Sequence, residues 1–539
     1  MKKLLSLAAS MCASSVLFAG GIVTNTNQSA SWVRMPAQDA SVGIEAVYFN
    51  PAGLMKLNNG FHISISNQTI AQTKRVENFY TGPGGGFGLN ESLYEGKVSA
   101  PIFPSVYAVY KMDKFAFSFG FNPVGGGGGA IFEKGLPSFE MGVSDLVPSL
   151  ASQGVNDYRL DAYFEGTSVF FGYQGGVSYK INDMISVSAG VRYVTAKNTY
   201  MGHLKSIELY NFGGGASWTP ANAIMTGIAT QAGGAKTSTA GIIAANAAFG
   251  DMTLVEAEAA TIINATQRAQ LEGALSAFGS ATNVTISTAN AVFAGAEAKY
   301  NATAYILSDQ EVDNEQTGSG ITPIFSVNIS PSEKLNIGVK YEMATKIELT
   351  NNTTKDFTTG FSGATPVTMF PDGEKLRNDM PAMLAIGASY KVSDKLGASI
   401  GTHYYFDKSA NYGKKLDGVY VENDKVIDNN LYEIAAGLEY NITEKLLASG
   451  GFLYGKTGVN AQDYQSDLSY SLTSGTIGLG GKYQINEMIG VNLGFGYTMY
   501  AEGEKTVDHI FSATGANIPA LETYYKDNFF LGIGVDLSF

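Results

Sequence analysis

The sequence predicts an all-β fold: a 14-stranded antiparallel transmembrane β-barrel with an N-terminal hatch (plug) inside the lumen and a helical extracellular loop insertion. Three observations predict it: strictly alternating segments, one recurring tight turn, and an export signal with no apolar helix behind it. The alternation is clearest at the C-terminus. Phe529, Leu531, Ile533, Val535, Leu537 and Phe539 share one face, opposed by Phe530, Gly532, Gly534, Asp536 and Ser538. A period of two over this length is a β-strand signal, apolar toward lipid and small or polar toward a lumen.

Composition agrees. The 539 residues include 64 Gly, 30 Tyr and 30 Phe with 15% charged, which suits a large barrel better than a string of soluble domains. Residues 1–20 read as a signal peptide, with Lys2 and Lys3, an apolar run from Leu4 to Phe18, and Ala19-Gly20-Gly21 near the cleavage point. The single cysteine, Cys12, lies within it, so thiol catalysis and disulfides are excluded for the mature chain. No later run of eighteen apolar residues can form a transmembrane helix. The formal charge of −13, or −15 without Lys2 and Lys3, argues against a nucleic-acid partner. An exported strand-rich chain leaves a periplasmic or secreted β protein, or a barrel in the Gram-negative outer membrane.

The turns count the strands. A short polar turn recurs at 110–115, 179–185, 329–335, 390–396, 440–446 and 483–489, five times with Tyr beside it: Tyr110, Tyr179, Tyr390, Tyr440 and Tyr483. Asn, Asp, Ser or Thr between alternating runs is hairpin chemistry, and the Tyr side chains suit an interfacial girdle. Between these turns the connections are long: roughly 79–96, 125–162, 211–296, 353–379, 411–428, 460–467 and 503–523. Short turns on one side and long loops on the other are the habit of outer-membrane barrels, and six such turns with both chain ends on their side give fourteen strands.

Residues 60–539 therefore form the barrel, its first strand running from Gly60 to about Asn78, and residues 21–59 are left for a hatch. Fourteen strands enclose a lumen that their own side chains do not close. The hatch segment carries Trp32, Met35 and Pro36, then Ala46 to Leu54 with Asn50-Pro51-Ala52, and is too apolar for a solvated tail. With Asp39–Gly43 before it and the first strand just after, this Asn-Pro-Ala resembles the FadL/TodX family of outer-membrane channels for long-chain fatty acids and aromatic hydrocarbons. The resemblance covers the plug motif closely and the rest by architecture. It implies a low-affinity groove among the loops, a pocket in the lumen, a hatch shift involving Asn50, Pro51 and Ala52, and sideways release into the bilayer. It implies no cofactor, and its partners are hydrophobic small molecules and outer-membrane lipid, with the chain acting as a monomer.

Three regions can be weighed against that mechanism. Asn122-Pro123 runs into Gly125–Gly129, and Pro with clustered Gly removes ladder bonds, so Asn122, Pro123 and Gly125 mark either a break in the wall or the start of a loop. Residues 211–296 break the β pattern with Ala-rich helix signals: Thr219-Pro220, a capping box from Thr253 to Glu256, and one helix from Thr253 to Phe278. There Val255, Ile262, Leu275 and Phe278 either line a groove or pack as a lid. Strand parity points Arg192, Lys340 and His403 into the lumen. They are candidates for a ligand carboxylate, or for an ion-pair network with Glu342, Glu433 and Glu439 that holds the plug.

The sequence offers no metal-ligand cluster, nucleophile elbow or phosphate loop, so it predicts a non-enzyme. Passive uptake of hydrophobic molecules, long-chain fatty acid before aromatic hydrocarbon, is the expected function. A surface antigen or adhesin barrel is the rival.

Overall fold

In the computed structural model the described residues are 24–25, 28–85, 87–416, 418–511 and 513–539. The signal segment and Cys12 lie outside them. Fourteen strands follow in chain order: β1 (Gly60–Asn78), β2 (Leu93–Met112), β3 (Phe115–Phe132), β4 (Asp157–Lys180), β5 (Ile185–Tyr210), β6 (Gln310–Ile329) and β7 (Leu335–Glu342, resuming as Glu348–Lys355). They continue as β8 (Lys375–Arg377, resuming as Met383–Lys391), β9 (Leu396–Tyr405), β10 (Tyr432–Asn441), β11 (Leu446–Lys456), β12 (Ser474–Gln484), β13 (Ile489–Tyr500) and β14 (Ala520–Ser538). Each pairs antiparallel with the next, and β14 returns to β1 in unbroken register from His62↔Ser538 to Asn78↔Glu522. The sheet has no free edge.

All six predicted turns join strands at one end, and five share one mechanism. Asn182, Ser332, Ser393, Thr443 and Asn486 each accept, through the side-chain oxygen, the backbone N–H groups two and three residues on, at 2.8–3.3 Å. These are Asx and Ser/Thr turns, which satisfy the reversal's backbone without a long loop. The five adjacent Tyr side chains are exposed, as are Phe115, Phe117, Phe119, Leu531, Ile533 and Val535 above them. No helix among the described residues is long and apolar enough to cross a membrane. A closed, even-stranded barrel with an apolar outer belt has the architecture of the Gram-negative outer membrane.

The lumen is filled by the segment before β1. Helix α1 (Ala30–Arg34), helix α2 (Ala46–Phe49) and a 3₁₀ turn (Pro51–Lys56) are buried almost throughout and form one core with inward side chains of the strands. Glycines make the room. A Cβ on Gly387 would come within 2.5 Å of Asp39 Cβ, and one on Gly478 within 2.4 Å of the Val33 carbonyl.

Three expectations are corrected. Gly125–Gly129 does not begin a loop: β3 continues to Phe132, because β4 keeps pairing with it (Gly125↔Phe170, Gly128↔Ser168) across two register shifts. The helix expected from Thr253 to Phe278 is two helices. In chain order, α3 (Pro137–Ser144) and α4 (Leu146–Ser149) lie at the mouth, followed by the insertion's α5 (Ala221–Ala245), α6 (Leu254–Ala259), α7 (Ala265–Ala277) and α8 (Ile286–Ile306). Thr261, at φ 60°, stops α6, and Asn264 with Gln267 forms a second capping box that starts α7. The insertion also runs past residue 296, since α8 ends at Ile306.

Candidate functional site: a latched hatch, a gap in the wall and a lumen cavity

The Asn-Pro-Ala turn is bolted to three strands. Asn50 Nδ2 donates to Asn328 Oδ1 of β6 (2.7 Å) and to the Ser41 carbonyl (3.0 Å). The Ala52 amide donates to Ser326 Oγ (2.7 Å), Ser178 Oγ of β4 to the Pro51 carbonyl (2.7 Å), and Ser186 Oγ of β5 to the Ala52 carbonyl (2.7 Å). Serines on the inward face thus read backbone groups of the hatch, which a sequence of alternating Ser and Gly does not disclose.

The three cations singled out by parity all hold this assembly. Arg192 makes a bidentate pair with Glu342 (2.6 and 3.0 Å) and donates to Gln174 Oε1, while Lys340 pairs with the same Glu342 at 2.8 Å. Lys340 also donates to the Tyr48 carbonyl, Gln174 donates to the Val47 carbonyl, and both cations lie over the Tyr48 ring. His403 bridges Asp39 of the hatch (2.6 Å) and Glu433 of β10 (2.7 Å). A ligand carboxylate would have to displace a protein carboxylate at each.

Among the described residues the longest unpaired interval in the wall lies between β2 and β3. The β2–β3 ladder runs from Met112↔Phe115 to Val106↔Phe121 and resumes only at Lys97↔Ile131. Across 98–105 and 122–130 the two strands do not bond to each other, although β2 still pairs with β1 and β3 with β4. Pro101, Pro104 and Pro123, which cannot donate, stand in this interval. Asn122 and Pro123 are buried at its edge. The chain's first described residues seal it: Thr24 bridges Gly125, the Asn25 amide donates to the Val124 carbonyl (2.8 Å), and Gln28 Nε2 to the Pro123 carbonyl (2.5 Å).

Behind the gap lies a cavity of about 320 Å³, lined by Trp32, Ile70, Val98, Phe171 and Phe530 among others. A second, of about 160 Å³, adjoins it toward the mouth and shares Gly127, Ser168, Tyr500 and Lys526. A third, of about 420 Å³, opens among the periplasmic turns beside Val42 and Lys56 of the hatch. At the mouth, α3 and α4 form a lid. Glu140 accepts from the Tyr94 and Tyr158 hydroxyls, Asp145 from Tyr80 (2.5 Å), with His509 Nε2 2.7 Å away, and the Ser138 amide donates to Asp467 (3.0 Å). Burial pushes the Asp467 carboxyl above its usual range.

The base of the insertion packs, through Ile224 and Met225, on Leu146, Val147 and Leu209, while its far end has its own core. Leu275 is fully buried there, Ile262 and Phe278 pack against it, and Val255 alone of the four groove candidates is exposed. Two lumen-facing residues escaped the sequence reading, Lys74 of β1 and Lys526 of β14. Continuing the alternation of the last strand two inward positions beyond Phe530 would have found Lys526.

No family model matches this sequence, and no curated protein matches it. Solved structures do match. A FadL homologue from Pseudomonas aeruginosa aligns with a TM-score of 0.57 over 97% of this chain and 100% of its own, at 13% identity. The Pseudomonas putida toluene transporter TodX aligns with a TM-score of 0.51 over 96% of this chain and 100% of its own, at 12% identity. A TodX deltaS2S3 mutant, described as a monoaromatic hydrocarbon channel, gives 0.51 and 12% over the same shares. At this identity and coverage the likeness is one of fold: this chain has the FadL/TodX channel fold.

Proposed function

We propose that this barrel is a monomeric channel for passive uptake of hydrophobic molecules, long-chain fatty acids before aromatic hydrocarbons, with sideways release into the bilayer. The observation that carries the reading is the coincidence of three features: an unpaired interval between β2 and β3, a cavity directly behind it with Trp32, Ile70, Phe171 and Phe530 in its lining, and the first hatch residues as its stopper. Lateral exit has a physical rationale. A chain that gains about 0.8 kcal/mol per buried CH₂ gains nothing from a watery exit to the periplasm. In this mechanism a molecule passes the α3–α4 lid, occupies the two adjoining cavities, and leaves past Pro123 when the stopper shifts. The hatch around Asn50, Pro51 and Ala52 is the moving part, and its serine contacts set the cost of that shift. Aromatic side chains in the cavity (Trp32, Phe171, Phe530) are compatible with the hydrocarbon reading.

The test is uptake in a host lacking its own fatty-acid channel, comparing the intact chain with Asn50→Ala/Pro51→Ala at equal folded amounts. Labelled oleate entering faster than in empty cells, with a changed rate in the variant, supports a gated fatty-acid channel. Selective entry of labelled toluene moves the substrate and keeps the mechanism. Entry of neither contradicts transport.

A further inference from the structure

We infer that Asn67 and Thr69 are positioning residues: from the lipid side of β1 they hold β2 back from β3, so that the gap in the wall does not zip shut when the stopper leaves. This rests on the reading of lateral release above and names what keeps its exit open.

Both residues are polar in an apolar place. They stand on the outward face of β1 beyond Phe61, Ile63 and Ile65, opposite Ile533 and Leu531 of β14, which are exposed in the outer belt. An amide or hydroxyl facing hydrocarbon is costly unless it is hydrogen-bonded. All the bonds these two side chains make across the sheet go to one short stretch of β2. The Phe103 amide donates to Asn67 Oδ1 (2.9 Å), and Asn67 Nδ2 and Thr69 Oγ1 both donate to the Pro101 carbonyl (3.1 Å each).

That stretch is a β-bulge. The β1–β2 register passes from Gln68↔Phe103 to Ile70↔Ala100, so Pro101 and Ile102 together oppose Thr69. A bulge leaves one residue out of the ladder and bends its strand. Here it falls inside the interval where β2 and β3 do not pair. Ile102 stands 74% exposed on the outside of the barrel and also lines the 320 Å³ cavity behind the wall. One side chain is thus shared by the cavity and the outer surface.

The two shores of the gap are satisfied differently. On β3 the Pro123, Val124 and Gly126 carbonyls accept from Gln28 Nε2, the Asn25 amide and Asn25 Nδ2, all of them stopper groups. On β2 the partners are side chains of the wall itself. Backbone groups without a partner do not persist in hydrocarbon. Once the stopper shifts, those β3 carbonyls become free acceptors, and an unclamped β2 offers amides to meet them. Pro101 and Pro104 cannot donate, and the Phe103 amide between them is held by Asn67. The clamp leaves the stopper removable and the opening fixed.

The test compares the full chain carrying Cys12→Ser with the same chain carrying Asn67→Leu/Thr69→Val, whose apolar side chains suit the lipid face, at equal folded amounts by heat-modifiable migration. Oleate uptake is followed in a host lacking its own fatty-acid channel. Oleate binding is followed in nanodiscs by Trp32 emission, with Trp218→Phe leaving Trp32 as the single tryptophan. The width of the gap is read as the distance between nitroxides at Ile102→Cys on β2 and Tyr173→Cys on β4, both exposed positions, one on each side of the gap. In the variant, uptake should fall roughly fivefold or more, oleate binding should change less than about twofold, and the nitroxide distance in the presence of oleate should shorten by about 5 Å, one strand spacing. Thr69→Ser, which keeps the hydroxyl donor, should match the parent. An unchanged distance overturns the clamp whatever the uptake. Full uptake despite a shortened distance, or binding that weakens in step with uptake, overturns its part in release. If the parent imports no oleate, the channel reading falls by itself, and the nitroxide distance still decides the clamp.

Discussion

The lumen contains two sets of cations at two heights, and they differ in company. Arg192, Lys340 and His403, level with the hatch, each meet a protein carboxylate at 2.6–2.8 Å. Lys74 and Lys526, above it, meet none among the described residues. Both sets face inward by the same alternation, so orientation alone says nothing about their use. A cation matched by a protein acid holds structure together. A cation left unmatched and opposite another cation, as Lys74 is opposite Lys526, adds no such tie and lowers stability.

That contrast can be broken most forcefully at the lower set. Glu342→Ala leaves two nearly fully buried cations without their shared carboxylate, and loss of one partner of such a group costs on the order of 3–5 kcal/mol. A lowered urea midpoint, with frequent open bursts in single-channel recordings as the hatch loosens, is the expected result; an unchanged midpoint would remove the latch. At the upper set the opposite sign is expected. Lys526→Met relieves a like-charge pair, so stability should stay level or rise by up to about 1 kcal/mol. A loss larger than that in the same unfolding assay would make Lys526 structural and erase the difference between the sets.

The smallest effect concerns the loops. Burial, with Lys505 nearby, pulls the Lys414 ammonium down to about 7, in the extracellular segment between β9 and β10. Between that value and the ordinary lysine range the unfolded chain binds more protons than the folded one, so local stability rises with pH across this window. Proteolysis within 406–431 should therefore slow severalfold from pH 7 to pH 9.5, and Lys414→Met should flatten the profile.

Much of this was legible in the sequence. The turn phrases gave the strand count because Asn182, Ser332, Ser393, Thr443 and Asn486 act locally, each bonding backbone two and three residues away. Parity placed Arg192, Lys340 and His403 inward because a closed barrel leaves a strand only two faces. Which acid each cation meets was not legible, since Glu342 lies 150 residues from Arg192 and Asp39 lies 364 from His403. The fit of the hatch was hidden for a similar reason: inward glycines such as Gly387 and Gly478 look merely small until Asp39 and Val33 are seen against them. The break at Thr261 was missed because helical spacing of apolar residues persisted across it, while Asn264 carried the restart signal. The interval between β2 and β3 was half visible, Pro123 being noticed and its counterparts Pro101 and Pro104 not.

The most direct test of the account locks the stopper to the wall. Thr24 and Gly125 are antiparallel bridge partners, a geometry that a disulfide spans, and the one native cysteine, Cys12, is replaced by Ser in every variant. Oleate uptake by Thr24→Cys/Gly125→Cys should fall to the empty-host level when the disulfide is formed and return on reduction, with each single variant unaffected. Uptake that continues unchanged through the closed disulfide would contradict release through the gap between β2 and β3.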